Sequence, residues 1–202
     1  TAPGKPAGAW HVIAYDDVYS IEYLGRKLPG YWKLEFHSIA ELLSAACGDF
    51  EKLDAECDRY DRQLHSDAAA AGGEKYAELC DLAFRQAIAA HKLVVDLDGT
   101  PLFFSKENFS NGCIATVDVT YPSAPLFLLT QPELLKGMLI PILQYAESRR
   151  WKFPFAPHDL GTYPLANGQV YGGGEFSEEN QMPVEECGNM LLLAGALSRL
   201  CG

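Results

Sequence analysis

Ile39, Leu42, Leu43, Ala46, Cys47 and Phe50 recur at the i, i+3, i+4, i+7 spacing of a single helix face. Leu53, Cys57, Tyr60 and Leu64 form a second stripe, and Tyr76, Leu79, Cys80, Ala83, Phe84, Ala87, Ile88 and His91 a third. This succession constrains the chain most, because each amphipathic helix must bury its apolar face on another element. Short connections between such helices predict antiparallel neighbours. Gly48 is read as the end of the first helix, Asp49 as the cap of the second, and Gly72-Gly73 as its close.

The pattern then changes. Val94-Val95, Asp98-Gly99 and Leu102 to Phe104 read as a small β-hairpin. Residues 119–130 and 132–147 read as two further helices, with Pro132 in a first turn and Pro141 as a kink. Pro183 opens a last helix, apolar on nearly every side and so expected inside the domain. Nothing after it in the sequence could cover it, so the natural protein is expected to continue past Gly202. Residues 1–35 read as an opening segment of short strands and turns, broken at Gly25 and at Pro29-Gly30, and residues 36–202 as a helical domain. The first ten residues, TAPGKPAGAW, look like the middle of something longer, so any signal peptide would lie upstream.

A net charge of −11 argues against nucleic acid, whose phosphates need clustered Lys and Arg, and disfavours an anionic membrane surface. No apolar run is long enough to span a bilayer. The six cysteines include no CxxC pair, so a zinc site is not expected, and they read as structural thiols rather than disulfides. His11, His37, His65 and His91 lack metal-ligand spacing, and no cofactor motif is present. A small molecule is the expected partner.

The segment KFPFAPHDLGTYPLANGQVYGGGE, residues 152–175, is too rich in Gly and Pro to be helical. Loops on a rigid scaffold are the usual place for function. His158 and Asp159 can grip a hydroxyl or amide through two directional groups, or can fill a gap and close an Asx-turn. Glu107 and Asp118 flank an SNG turn; paired carboxylates suit acid–base or nucleophilic work, although spacing alone favours Asp118 as a helix cap. Glu185 and Glu186 stand in the first turn after Pro183, where the helix dipole favours acids. Glu185 and Asn189 share a face and would bind substrate if that face meets a cleft.

Three long motifs, FSKENFSNGCIATVDVTYPSAPLFLL, WKFPFAPHDLGTYP and MPVEECGNMLLL, resemble the glutaminase A family of fungal and Bacteroides-type secreted proteins. The likeness runs from AYDDVYSIEYLG to the end. It implies an all-α domain, part of an (α/α)6 toroid with a β-hairpin insertion, in a secreted or periplasmic hydrolase of L-glutamine. Family members are longer, so N- and C-terminal domains of the same protein would be further partners. The chain is also similar, more distantly, to glucosylceramidase-type β-glucosidases. There a catalytic Glu precedes the Asp of an Asp-Val segment by the interval between Glu107 and Asp118, and a Pro-His-Asp-(Ile/Leu)-Gly motif follows. That likeness puts Glu107 at the nucleophile position and has Asp118, His158 and Asp159 bind sugar hydroxyls. It leaves glycoside hydrolysis, or carbohydrate binding without turnover, as alternatives to amide hydrolysis.

Overall fold

The computed structural model describes residues 11–201; the TAPGKPAGAW run and Gly202 lie outside the described residues. Strands β1 (Ile21–Tyr23) and β2 (Arg26–Leu28) turn at Gly25, and a 3₁₀ turn follows at Tyr31–Leu34. Helices α1 (Ile39–Gly72) and α2 (Glu74–Ala89) come next, then the hairpin of β3 (His91–Val95) and β4 (Pro101–Ser105). The chain continues through α3 (Val117–Thr130), α4 (Pro132–Ala146), the short β5 (Leu165–Ala166) and α5 (Pro183–Cys201). The fold is helix-rich with two small sheets, one being the β3–β4 hairpin and the other ordered β2-β1-β5.

The expected break at Gly48 does not occur: α1 is continuous over 34 residues. A glycine inside a helix costs about 1 kcal/mol relative to alanine, too little to end a helix whose other residues continue the ladder. The start is well marked, since Ser38 accepts from the Glu41 N–H (3.2 Å) and the Glu41 carboxylate accepts from the His37 N–H (2.9 Å). The stop comes at Gly73, at φ 84°, whose N–H donates to the Ala69 carbonyl. The α1 stripe packs on α2 but stays half open: Leu53 and Tyr60 remain exposed. The third stripe is shorter than its periodicity suggests, because His91 begins β3, where its ring stacks on Phe103 at 4.6 Å.

The main core lies elsewhere. α4 rests on β4, and Leu102, Phe104, Phe127, Leu135, Met138, Ile142 and Tyr145 interlock there. Gly137 permits this approach: a Cβ at that position would stand 3.1 Å from the Pro101 carbonyl oxygen. Tyr23 ties the small sheet to α4 by donating to Gln144 Oε1 at 2.9 Å. β1 also pairs in parallel with β5, which anchors the opening strands to the long loop.

α5 lies against α3 and α4. Glu186, Met190 and Leu193 are its buried residues, whereas Val184, Leu191, Leu192 and Leu200 are exposed. The helix is therefore buried on one face and not enclosed, because no described element covers the other. Phe104 is wholly buried in the central cluster. Phe104→Ala is expected to destabilise the fold by about 3–5 kcal/mol, read as a lower denaturation midpoint in urea.

Candidate functional site

Three extended segments run side by side below the end of β4. Glu107 donates its N–H to the Cys113 carbonyl (2.9 Å), and Ala115 donates to Ser105 (2.9 Å). On the other side Ile114 donates to the Gly161 carbonyl and accepts from Leu160, both at 3.0 Å, and Val117 donates to the His158 carbonyl at 2.8 Å. The outer segments thus carry Glu107 and His158-Asp159, while the middle one leads into α3 and delivers Asp118 in its first turn. α5 brings Glu186 from a third direction.

Asp159 is 1% exposed, and its oxygens are taken up internally. Oδ1 accepts from the N–H groups of Gly161 (2.8 Å) and Val170 (3.0 Å); Oδ2 accepts from Tyr171 N–H (3.1 Å) and from His158 Nδ1 (2.9 Å). Sequence reading offers Asp159 as a substrate-binding group or as the close of an Asx-turn; its bond from the Gly161 N–H is that turn, and its other bonds hold the loop and the imidazole. A carboxylate so placed fixes the neutral ring with its proton on Nδ1, leaving Nε2 as an acceptor. The His158 ring stacks on Tyr171 with centroids 4.1 Å apart and the planes 17° from parallel. Its backbone N–H donates to Gln169 Oε1 at 2.7 Å.

His158 Nε2 stands 3.8 Å from Asp118 Oδ1. One oxygen of Glu186 completes the group, and the three ligand-type atoms lie within 4.8 Å of one another. Glu186 is 1% exposed, and neither of its oxygens, nor Asp118 Oδ1, has a hydrogen-bond partner. Burial pushes the Glu186 carboxyl up to about 7; His158 opposes this, Asp118 and Glu185 add to it, and the nearby Asn189 amide, though outside hydrogen-bond geometry, opposes it weakly. Burial also opposes charge on His158, but the Asp159 hydrogen bond and the charges of Asp159, Asp118 and Glu186 outweigh it and raise the ring. The result is a buried acid able to give or take a proton near neutrality, beside an imidazole of fixed orientation.

Glu107 is half-buried; it accepts from Ser110 Oγ, and from Thr116 Oγ1 at 3.3 Å. Cys113 nearby is a buried thiol that burial, followed by the charges of Asp159 and Glu107, an Asp159 hydrogen bond and the charge of Asp118, pushes up to about 12. Such a thiol is not a nucleophile near neutral pH. All six cysteines are free.

Asp118 does not cap α3, whose N-cap is Thr116, and its unpartnered oxygen faces His158 instead. Glu185 is exposed on α5, so its expected pairing with Asn189 toward a cleft gives way to Glu186, with Asn189 half-buried one turn on. The signal was in the sequence: Glu186, Met190, Leu193 and Leu197 share one helical stripe. Gln169, Tyr171 and Tyr145 were missed, and no local pattern marks them. Tyr145 donates to Glu175 Oε1 (2.7 Å) and accepts from the Gln169 N–H (3.0 Å), and Arg150 grips both Glu175 oxygens.

The raised Glu186 carboxyl has a stability consequence. The folded state holds a proton that the unfolded chain releases at the usual carboxylate pKa, so this contribution favours folding at low pH and is lost as pH rises to about 7. The raised His158 acts in the same direction as pH passes through its folded pKa. In chelator-containing buffer the melting temperature is expected to fall between about pH 5 and 7.5, and Glu186→Gln to flatten that fall. An unchanged slope in the variant would place the buried proton elsewhere.

Among the described residues, no helix is long and apolar enough to cross a membrane. A family model described as the glutaminase A six helical-hairpin domain matches residues 73–202, and a domain of unknown function (DUF5127) matches residues 3–67. Glutaminase A of Aspergillus oryzae is 36% identical over 202 residues, which take in 96% of this chain and 28% of the relative. A protein of Arthroderma benhamiae named as a probable glutaminase is 37% identical over 163 residues, 80% of this chain and 18% of the relative. The chain therefore spans less than a third of the length of these relatives, and it belongs to the glutaminase A family.

Proposed function

We propose that this chain supplies part of the active-site cleft of a hydrolase that converts L-glutamine to glutamate and ammonia. Its helices would form part of an (α/α)6 toroid, completed by the remaining domains of the full-length protein. By the same family likeness that protein is secreted or periplasmic. The observation carrying this reading is Glu186, buried and unpartnered beside His158 and Asp118, with its carboxyl near the pH at which it can work in both directions. As a carboxylate it takes a proton from an attacking water; as an acid it protonates the departing amide nitrogen. The high thiol of Cys113 favours water activation over a cysteine acyl-enzyme. The name carried by the Aspergillus oryzae relative supports the choice of an amide substrate.

A second reading rests on Glu107, held on the outer segment beside the one that leads to Asp118, as one of the two carboxylates of a glycoside hydrolase. The test is ammonia release from L-glutamine by the full-length protein, run beside a panel of aryl glycosides. Ammonia is expected, and Glu186→Gln is expected to lower kcat by about 10²–10⁴-fold. Sugar release without ammonia, abolished by Glu107→Gln, would replace the amidase reading with the glycosidase one. Saturable binding of sugar or glutamine with no turnover would leave a binding module.

A further inference from the structure

We propose that Asp118, His158 and Glu186 together bind a divalent transition-metal ion. The inference does not depend on which bond is cleaved, and it gives Glu186 a second role: with the ion bound its carboxylate is a ligand, and the acid–base role above belongs to the metal-free site.

With the imidazole neutral, three acceptor atoms face one another here. The Asp159 carboxylate holds the Nδ1 proton of His158, so Nε2 offers a lone pair toward Asp118 Oδ1, 3.8 Å away. Glu186 adds an oxygen within 4.8 Å of both, and it is 1% exposed with both oxygens unpartnered. Buried carboxylates without partners are expensive, and a proton, the His158 imidazolium or a bound cation must offset them. A proton alone does so poorly. Neither Glu186 oxygen has an acceptor in hydrogen-bond geometry, so a carboxylic O–H there would still point at nothing. An ion at the centre touches all three atoms at once. With the atoms no more than 4.8 Å apart, that centre lies within about 2.8 Å of each, and shifts of at most about 0.7 Å give ordinary metal–ligand lengths.

The surroundings have the form of an outer shell. A ligating imidazole usually donates its other N–H to a carboxylate, which fixes the tautomer and strengthens the ligand. Asp159 does this at 2.9 Å while three backbone N–H groups hold it in place, and Tyr171 clamps the ring by stacking. Rotation of His158 away from the centre would break both contacts. One imidazole with two carboxylates suits Mn²⁺ or Zn²⁺ better than the all-oxygen shells of Ca²⁺ or Mg²⁺. Three protein ligands leave positions for water or substrate, and the Asp118 side chain, 34% exposed, marks the open side. Sequence spacing could not reveal the set, because its members come from α3, the long loop and α5.

The full-length protein, stripped with a chelator and dialysed, is titrated with Mn²⁺ and separately with Zn²⁺, with bound metal counted by mass spectrometry. One equivalent per chain is expected at this site, with a rise in melting temperature. Pulsed EPR of the Mn²⁺ form should show nitrogen coupling from one imidazole. Glu186→Gln and Asp118→Asn are each expected to weaken binding at least about tenfold, and Asp159→Asn by about 10–100-fold through His158. Asp118 is partly exposed, so its variant serves if Glu186→Gln does not fold. Absence of saturable binding by both ions overturns the proposal. So does binding that neither Asp118→Asn nor Glu186→Gln weakens, or a Mn²⁺ signal without nitrogen coupling, since each places the ion on other carboxylates.

Discussion

The Asp159 carboxylate is the interaction on which the long loop depends. A buried anion needs its lone pairs filled, and Asp159 fills them with three backbone N–H groups and one imidazole. Two of those N–H groups belong to Val170 and Tyr171, far along the chain, so one side chain draws the His158 end of the loop against its glycine-rich end. Gly161 makes the bend possible: it stands at φ 134°, and a Cβ there would lie 2.3 Å from the Leu165 carbonyl oxygen. The same carboxylate orients His158, so the contacts that hold the loop also position the imidazole.

A second network fastens the loop to the helices. Tyr145 is wholly buried in α4 and uses its hydroxyl twice, donating to Glu175 and accepting from the Gln169 N–H. Gln169 in turn accepts from the His158 N–H and donates to Gln181. Motion of α4 would therefore be felt at His158 through two hydrogen-bonded residues. Trp151 closes the loop start by donating to the Phe155 carbonyl at 2.6 Å, with its indole against Phe153 and Phe155.

Electrostatics at the site is set by burial more than by formal charge. The chain carries a net charge of −11, yet most acids are exposed and solvated. Glu186 differs because α5 turns its Met190–Leu193 face into the core and takes Glu186 with it. Acid–base capacity at this position is a by-product of helix packing. Its neighbour Glu185, one residue earlier on the same helix, stays in water. A choice between adjacent identical residues is made by rotation about a helix axis, about 100° per residue.

The sequence by itself determined the local features. Periodicity located α3, α4 and α5 to within a few residues, Asp98-Gly99 marked the β3–β4 turn, and Gly72-Gly73 marked the end of α1, because these signals depend on near neighbours alone. It also picked out Glu107, Asp118, His158 and Asp159 as polar residues in special loops. It misjudged Gly48, since a weak breaker yields to a long helix, and it expected α5 to be covered all round, where the described residues cover one face. The stripe holding Glu186 was legible, but its meaning was not, because the periodicity does not say what that stripe meets. Tertiary structure alone decided that Asp159 serves the loop, that Glu186 rather than Glu185 meets His158, and that Tyr145, Gln169 and Tyr171 hold the site together. Those contacts join residues far apart in the chain, and only packing brings such residues within bonding distance.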